Sequence, residues 1–158
     1  MSQKLLSADG PESLVIIRRL FREYQEFLGV DLCFQGFEEE LAGLPGKYAP
    51  PKGALLLAMD GEEAAGCVAL REIEPGVCEM KRLYVRPSCR GRGLGRTLAE
   101  AAIDAGRRIG FRTMRLDTLE RLREAIGLYE SLGFRRIPSY YPNPLPSVIY
   151  WELDLTTA

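Results

Sequence analysis

The stretch Arg90-Gly91-Arg92-Gly93-Leu94-Gly95 sets three glycines at alternate positions between a segment that reads as a strand and one that reads as a helix. Glycine tolerates left-handed backbone angles and close approach, so successive amides can turn into one concavity. At a helix N-terminus, where amides lack partners and the dipole is positive, such a concavity suits an anion. Arg86, Arg90, Arg92 and Arg96 bracket the turn with no acidic residue between them, which favours a phosphate-bearing ligand. A tight turn that merely starts a helix close to a sheet would use the same glycines, and that reading stays open. The turn is not a dinucleotide fingerprint, because G-x-G-x-x-G from Gly91 needs glycine where Arg96 stands. Nor is it a Walker loop, since no glycine is followed by Lys and then Ser or Thr.

The chain has no histidine, which removes the commonest general base and leaves proton transfer to Glu, Asp, Tyr, Cys or water. Cys33, Cys67, Cys78 and Cys89 form no C-x-x-C pair and have no histidine to complete a mixed zinc site, so free thiols and no metal are expected. A formal net charge of −1 gives no overall field toward nucleic acid or an anionic membrane. A local basic cluster of Lys81, Arg82, Arg86, Arg90, Arg92 and Arg96 keeps nucleic acid as a rival partner, although only Tyr84 interleaves as an aromatic.

The elements that must position these groups follow from periodicity and turn chemistry. Lys4 to Ala8 reads as a short strand, and Ile17, Leu20, Phe21, Tyr24 and Leu28 trace one face of a helix from Leu14 to Leu28. Phe37 to Leu44 reads as a second short helix stopped by Pro45-Gly46. Ala54 to Met59 and Ala65 to Ile73 flank the Asp60-Gly61 turn as a hairpin, and Val77 to Val85 is a strand ended by Arg86-Pro87. A helix from Leu94 is closed by Gly110, Thr113 to Thr118 is a strand, and Leu122 to Leu132 is a helix closed by Gly133. Phe134 to Ile137 and Ser147 to Leu155 are final strands around the proline-rich loop Pro138 to Pro146. Adjacent strands early, then alternating strands and helices, predict a mixed sheet with helices on its faces. At 158 residues, 46% hydrophobic and 27% charged, the chain fits one domain, residues 1–158. No signal-peptide core or membrane-length apolar run is present, so a cytoplasmic protein is expected.

Two segments resemble the GNAT acetyltransferases. Glu79 to Pro87 followed by Arg90-x-x-Gly93-x-Gly95 looks like the family's motif A, Q/R-x-x-G-x-G/A, and Ala125-Ile126-Gly127-Leu128-Tyr129-Glu130-Ser131-Leu132-Gly133-Phe134 resembles its motif B, A-x-x-L-Y-x-x-x-G-F. One departure is Leu122, where many relatives carry an asparagine, so any contact made by that amide is lost. The resemblance implies an α/β (α+β) fold with a mixed, mostly antiparallel central sheet of six to seven strands, flanked by about four helices and splayed at the cofactor site. It implies acetyl-CoA as cofactor, with its pantetheine arm between the strand ending at Val85 and the strand Thr113 to Thr118. Leu83, Tyr84 and Val85 would meet that arm, and Arg90, Gly91, Arg92, Gly93, Leu94, Gly95 and Arg96 the phosphates.

By the same resemblance Tyr129 donates a proton to the leaving thiolate, although a core tyrosine would give the same pattern. Glu79 sits where histone-acetylating relatives place a base, and an exposed charge at a strand end is the alternative. The implied activity is direct transfer of an acetyl group to a primary amine of a small molecule, amino acid or peptide. A non-catalytic acyl-CoA sensor is the alternative. The acceptor's walls fall to the first helices and the Pro138 to Pro146 loop, where Phe34, Phe37, Tyr140 and Tyr141 either line a pocket or fill a core. Glu38, Glu39 and Glu40 either attract an amine or form a solvated face. A homodimer through the terminal strand Ser147 to Leu155 is a further expectation.

Overall fold

The computed structural model describes residues 3–30, 32 and 36–157. Within them a seven-stranded sheet runs in the order β1-β2-β3-β4-β5-β7-β6, with strands β1 (Gln3–Ser7), β2 (Ala54–Asp60), β3 (Glu63–Glu74), β4 (Val77–Val85), β5 (Thr113–Leu119), β6 (Arg135–Ile137) and β7 (Val148–Asp154). Its helices are α1 (Pro11–Leu28), α2 (Phe37–Ala42), α3 (Leu94–Ile109) and α4 (Arg123–Ser131). Every strand pair is antiparallel except β4 and β5, which α3 joins as a crossover. The expected splayed, mostly antiparallel sheet with four helices is therefore present, and element ends differ from the sequence reading by a few residues.

Alternation along the central strands feeds two cores. Val68 and Leu70 of β3 face α3 with Leu98, Ala102, Met114, Leu116 and Trp151, whereas Cys67 and Ala69 face α1 and α2 with Ile17, Leu20, Phe21, Phe37 and Leu41. Phe37 thus belongs to the core, and Phe34 lies outside the described residues. The buried thiols of Cys67 and Cys78 are pushed up by desolvation, that of Cys78 to about 12, so they stay protonated at neutral pH. Cys33 is outside the described residues.

One expectation needs correction. The terminal strand β7 is not an edge strand: β5 pairs along its whole length on one side, and Arg135 to Ile137 of β6 cover the middle of the other. A neighbour's sheet would not find there the free edge on which the homodimer expectation rested. No helix among the described residues is long and apolar enough to cross a membrane.

Two features of β4 set up the site. It pairs with β5 only at Val77, Cys78 and Glu79, opposite Thr113, Met114 and Arg115, and beyond that register the two strands keep their outer partners and part from each other. The parting coincides with a bulge, since Arg82 has φ +60° and the β3–β4 register slips between Cys67 and Ala69. An extra residue in one strand bends and twists it, and here re-aims Leu83, Tyr84 and Val85. The Arg82 side chain is held by both oxygens of Glu40, at 2.9 and 3.0 Å, and lies over the ring of Phe37. The bulge is thereby tied to α2.

Candidate active site

Beyond the parting point lies a cavity of about 640 Å³, well within the size range of ligand sites. Its walls include Leu83, Tyr84 and Val85 from β4, Asp117 and Thr118 from β5, and Leu128 and Tyr129 from α4. Its end is the glycine turn. Gly91 and Gly93 have φ of +82° and +77°, angles that other residues adopt only with strain. Gly95 has an ordinary angle, and a side-chain carbon there would stand 3.8 Å from Leu128 and 3.9 Å from Val85, so its value is open space. The α3 N-terminus has no side-chain cap, leaving its first amides for a ligand.

Of the residues expected to hold a cofactor, Leu83, Tyr84, Val85, Arg90, Gly91, Gly93, Leu94, Gly95 and Arg96 all line this cavity. The Arg92 side chain does not: it turns away to Asp60, at 2.8 Å. Arg86 is likewise paired, with Glu23 at 2.7 Å. Sequence cannot show that Glu23 and Asp60, far away along the chain, neutralise half of the arginine bracket. Of the six basic residues that keep nucleic acid as a rival partner, Arg82 is interior and Arg86 and Arg92 are ion-paired. Arg90 donates to the Val85 carbonyl at 2.9 Å and stacks over Phe27, so one backbone group expected to meet a ligand already has a partner. Arg121 and Arg123, unremarked in the sequence, add positive charge to the rim, and Leu122 lines the wall with no polar atom to offer beyond its backbone.

Tyr129 is buried against Phe134, yet it lines the cavity and its hydroxyl makes no hydrogen bond among the described residues. Burial pushes its pKa up, so the group stays protonated and able to donate. The ring is part of the core, while the residue also lines the cavity.

Glu79 is not an exposed charge. It is 1% exposed and stands at the last paired position before the strands part. Arg71 donates to one oxygen at 2.8 Å and Tyr140 to the other at 2.6 Å, with Lys81 3.9 Å away. Burial alone would raise its pKa, but the charges of Lys81 and Arg71 and the two hydrogen bonds prevail and hold the carboxyl below the usual range. A depressed, doubly bonded carboxylate is a weak base.

Asp117 was not singled out from sequence, where it is one polar residue in a short strand. On β5 it faces the cavity, accepts the Tyr141 hydroxyl, and has its pKa raised by burial despite the opposing charge of Lys81. Tyr140 and Tyr141 form an edge-on cluster with Tyr150, so the proline-rich loop delivers two hydroxyls to two carboxylates. Two of the three acids of α2 are also engaged, Glu38 by Arg22 on the surface and Glu40 by Arg82.

Comparison with known proteins agrees with this geometry. The acetyltransferase (GNAT) family model matches residues 16–134. An uncharacterized N-acetyltransferase of Schizosaccharomyces pombe is 44% identical over 148 residues, covering 92% of this chain and 91% of that protein. Among solved structures, a GNAT-family acetyltransferase of Staphylococcus aureus superposes with a TM-score of 0.82 at 18% identity, over 98% of this chain and 100% of the other. An N-acetyltransferase of Thermoplasma acidophilum, solved with coenzyme A, superposes with a TM-score of 0.76 at 19% identity, over 98% and 99% of the two chains. At those identities the structures speak for the fold. A parted β4–β5 pair, a glycine turn at the head of α3 and a motif B tyrosine in the gap define an N-acyltransferase, and this chain belongs to the acetyltransferase (GNAT) family.

Proposed function

We propose that the protein transfers the acetyl group of acetyl-CoA to a primary amine by direct attack. The observation that carries this is the cavity itself, which joins an anion cradle to a parted strand pair and an unengaged Tyr129 hydroxyl. Acetyl-CoA supplies an activated acyl group as a thioester. The open amides at the head of α3, with Arg90 and Arg96 beside them, would hold its phosphates. The parted inner edges of β4 and β5 offer ladder groups to its amide-bearing arm, as a sheet edge does to an added strand.

An amine nitrogen attacks the carbonyl carbon and the carbon–sulfur bond breaks; on the way from ammonium to amide the nitrogen sheds two protons, and the sulfur gains one. Asp117 takes the proton of the acceptor ammonium, directly or through a water, because its raised pKa makes it the better base of the two carboxylates. Glu79 fixes Arg71 and Tyr140 in place and leaves the proton to Asp117. Tyr129 gives its hydroxyl proton to the departing sulfur, and the second proton shed by the nitrogen as the amide forms restores the phenol, directly or through a water. The buried, protonated thiols of Cys67 and Cys78 fit no acyl-enzyme step.

Titration calorimetry of acetyl-CoA against the wild type and Gly95→Glu tests the cradle, because that change adds a carboxylate without demanding a left-handed angle. Binding in the wild type and its loss in a folded variant is the expected result. No wild-type binding refutes the acyltransferase reading. Release of free thiol on adding amines separates the enzyme from a non-catalytic acyl-CoA sensor.

A further inference from the structure

A second, smaller cavity of about 180 Å³ lies beside the first, lined by Glu40, Lys47, Tyr48, Arg71, Glu79, Lys81, Tyr141 and Pro142. Tyr141 stands between the two spaces, since it lines the small one and donates to Asp117, which lines the large one. Neither feature is used by the chemistry above.

The balance of hydrogen-bonding groups in this cavity is one-sided. Both Glu40 oxygens are taken by Arg82, and both Glu79 oxygens by Arg71 and Tyr140. The donors are not exhausted in the same way. Arg71 uses its Nε on Glu79, and its two terminal nitrogens donate to nothing among the described residues. Lys47 forms no ion pair among them either. A visitor to this cavity therefore meets cationic donors without a partner, whereas every carboxylate oxygen there already has one. A second ammonium would have to share carboxylate oxygens already engaged by Arg71, Arg82 and Tyr140 and would sit beside Arg71 and Lys47, whereas a carboxylate would gain charge-assisted bonds in a partly desolvated space. The volume is that of roughly six water molecules at about 30 Å³ each, enough for one small solute and too little for a folded chain.

Resting on the acetyl-transfer reading, we infer that the acceptor is a free amino acid or a similarly small amine bearing a carboxylate. Arg71 and Lys47 take its carboxylate in the small cavity, and its amine faces Asp117 across the gap between β4 and β5. Polyamines and peptide amines without a nearby carboxylate are the wrong shape of charge for this site.

The test uses free-thiol release from acetyl-CoA with two matched pools, the proteinogenic amino acids and their α-amides. Wild-type protein should turn over an acid at least about tenfold faster than its amide, measured as kcat/KM. Lys47→Gln, a surface change, should raise KM for the acid several-fold with kcat and acetyl-CoA binding unchanged. Arg71→Lys should do the same more strongly while still offering a charge to Glu79. Equal or better use of the amides overturns the inference, as does protein that binds acetyl-CoA in calorimetry and turns over neither pool. Wild-type protein that fails to bind acetyl-CoA overturns the transfer reading beneath it, and calorimetry keeps the two failures apart.

Discussion

The two halves of the site are built from different material. On the side proposed for the cofactor, the head of α3 offers backbone: Gly91 and Gly93 adopt angles that almost only glycine accepts, and the side chain of Arg92 points elsewhere. On the acceptor side, the groups are side chains from distant segments, with Glu40 from α2, Arg71 from β3, Glu79 from β4, Asp117 from β5 and Tyr140 and Tyr141 from a loop. A backbone site constrains a short run of sequence tightly. A side-chain site constrains many positions loosely, each through a partner far along the chain.

Substitutions should respect this division, and the largest effect is expected on the acceptor side. Arg82→Met leaves Glu40 as an uncompensated, mostly buried charge and should cost about 3–5 kcal/mol of stability in urea unfolding. A loss below about 1 kcal/mol, the range of exposed pairs, would remove the claim that this pair braces the bulge. Next come the proton-transfer groups: Asp117→Asn and Tyr129→Phe should each lower kcat by about 100-fold with acetyl-CoA affinity unchanged, as read by steady-state kinetics beside calorimetry. In that profile the acid limb of kcat/KM should lie above the range of an ordinary aspartate, and retention of the limb in Asp117→Asn would assign it to another group.

The two carboxylates should also respond oppositely to pH. Glu79, lowered on folding, contributes stability that is present above its unfolded value, near 4.5, and lost as pH falls through the lower folded value. Asp117, raised on folding, works the other way, since its ionisation as pH climbs through the raised value weighs against the native state. Unfolding midpoints followed from about pH 7 down to about pH 2 should show Glu79→Gln losing its deficit in acid, while Asp117→Asn is relatively favoured at neutrality. Matching pH trends for the two variants would contradict the contrast. Smallest of all, Arg92→Ala should change KM for acetyl-CoA by less than about threefold, its partner being Asp60 on β2. A much larger rise would mean that the cradle is not chiefly backbone.

The same division explains what could be read in advance. The glycine turn and the motif B tyrosine announce themselves because local geometry fixes residue type, and the strands and helices follow from periodicity of two and of three to four. Most of the fold was legible on that basis, and nine of the ten residues expected to meet the cofactor line a single cavity. The bulge at Arg82 was not, because a left-handed arginine inside a strand has no composition signal. Asp117 was not singled out because its place opposite a departing strand has no local signal, and the burial of Glu79 was not legible because Arg71 and Tyr140 reach it only after the sheet and loop are assembled. The place of β7 inside the sheet, rather than at its edge, also depends on a pairing that its own residues do not encode.

Arg82 carries two demands that pull toward different replacements. Glycine would ease the backbone at φ +60°, yet would strand Glu40; lysine would keep the charge, yet would lose the two-point grip on that carboxylate. Neither change is acceptable alone, and a neutral residue at position 82 calls for a neutral one at position 40 in the same lineage. Positions 40 and 82, 42 residues apart, should therefore drift together or stand still. The short helix that walls the acceptor cavity is then inherited together with the kink that opens the sheet.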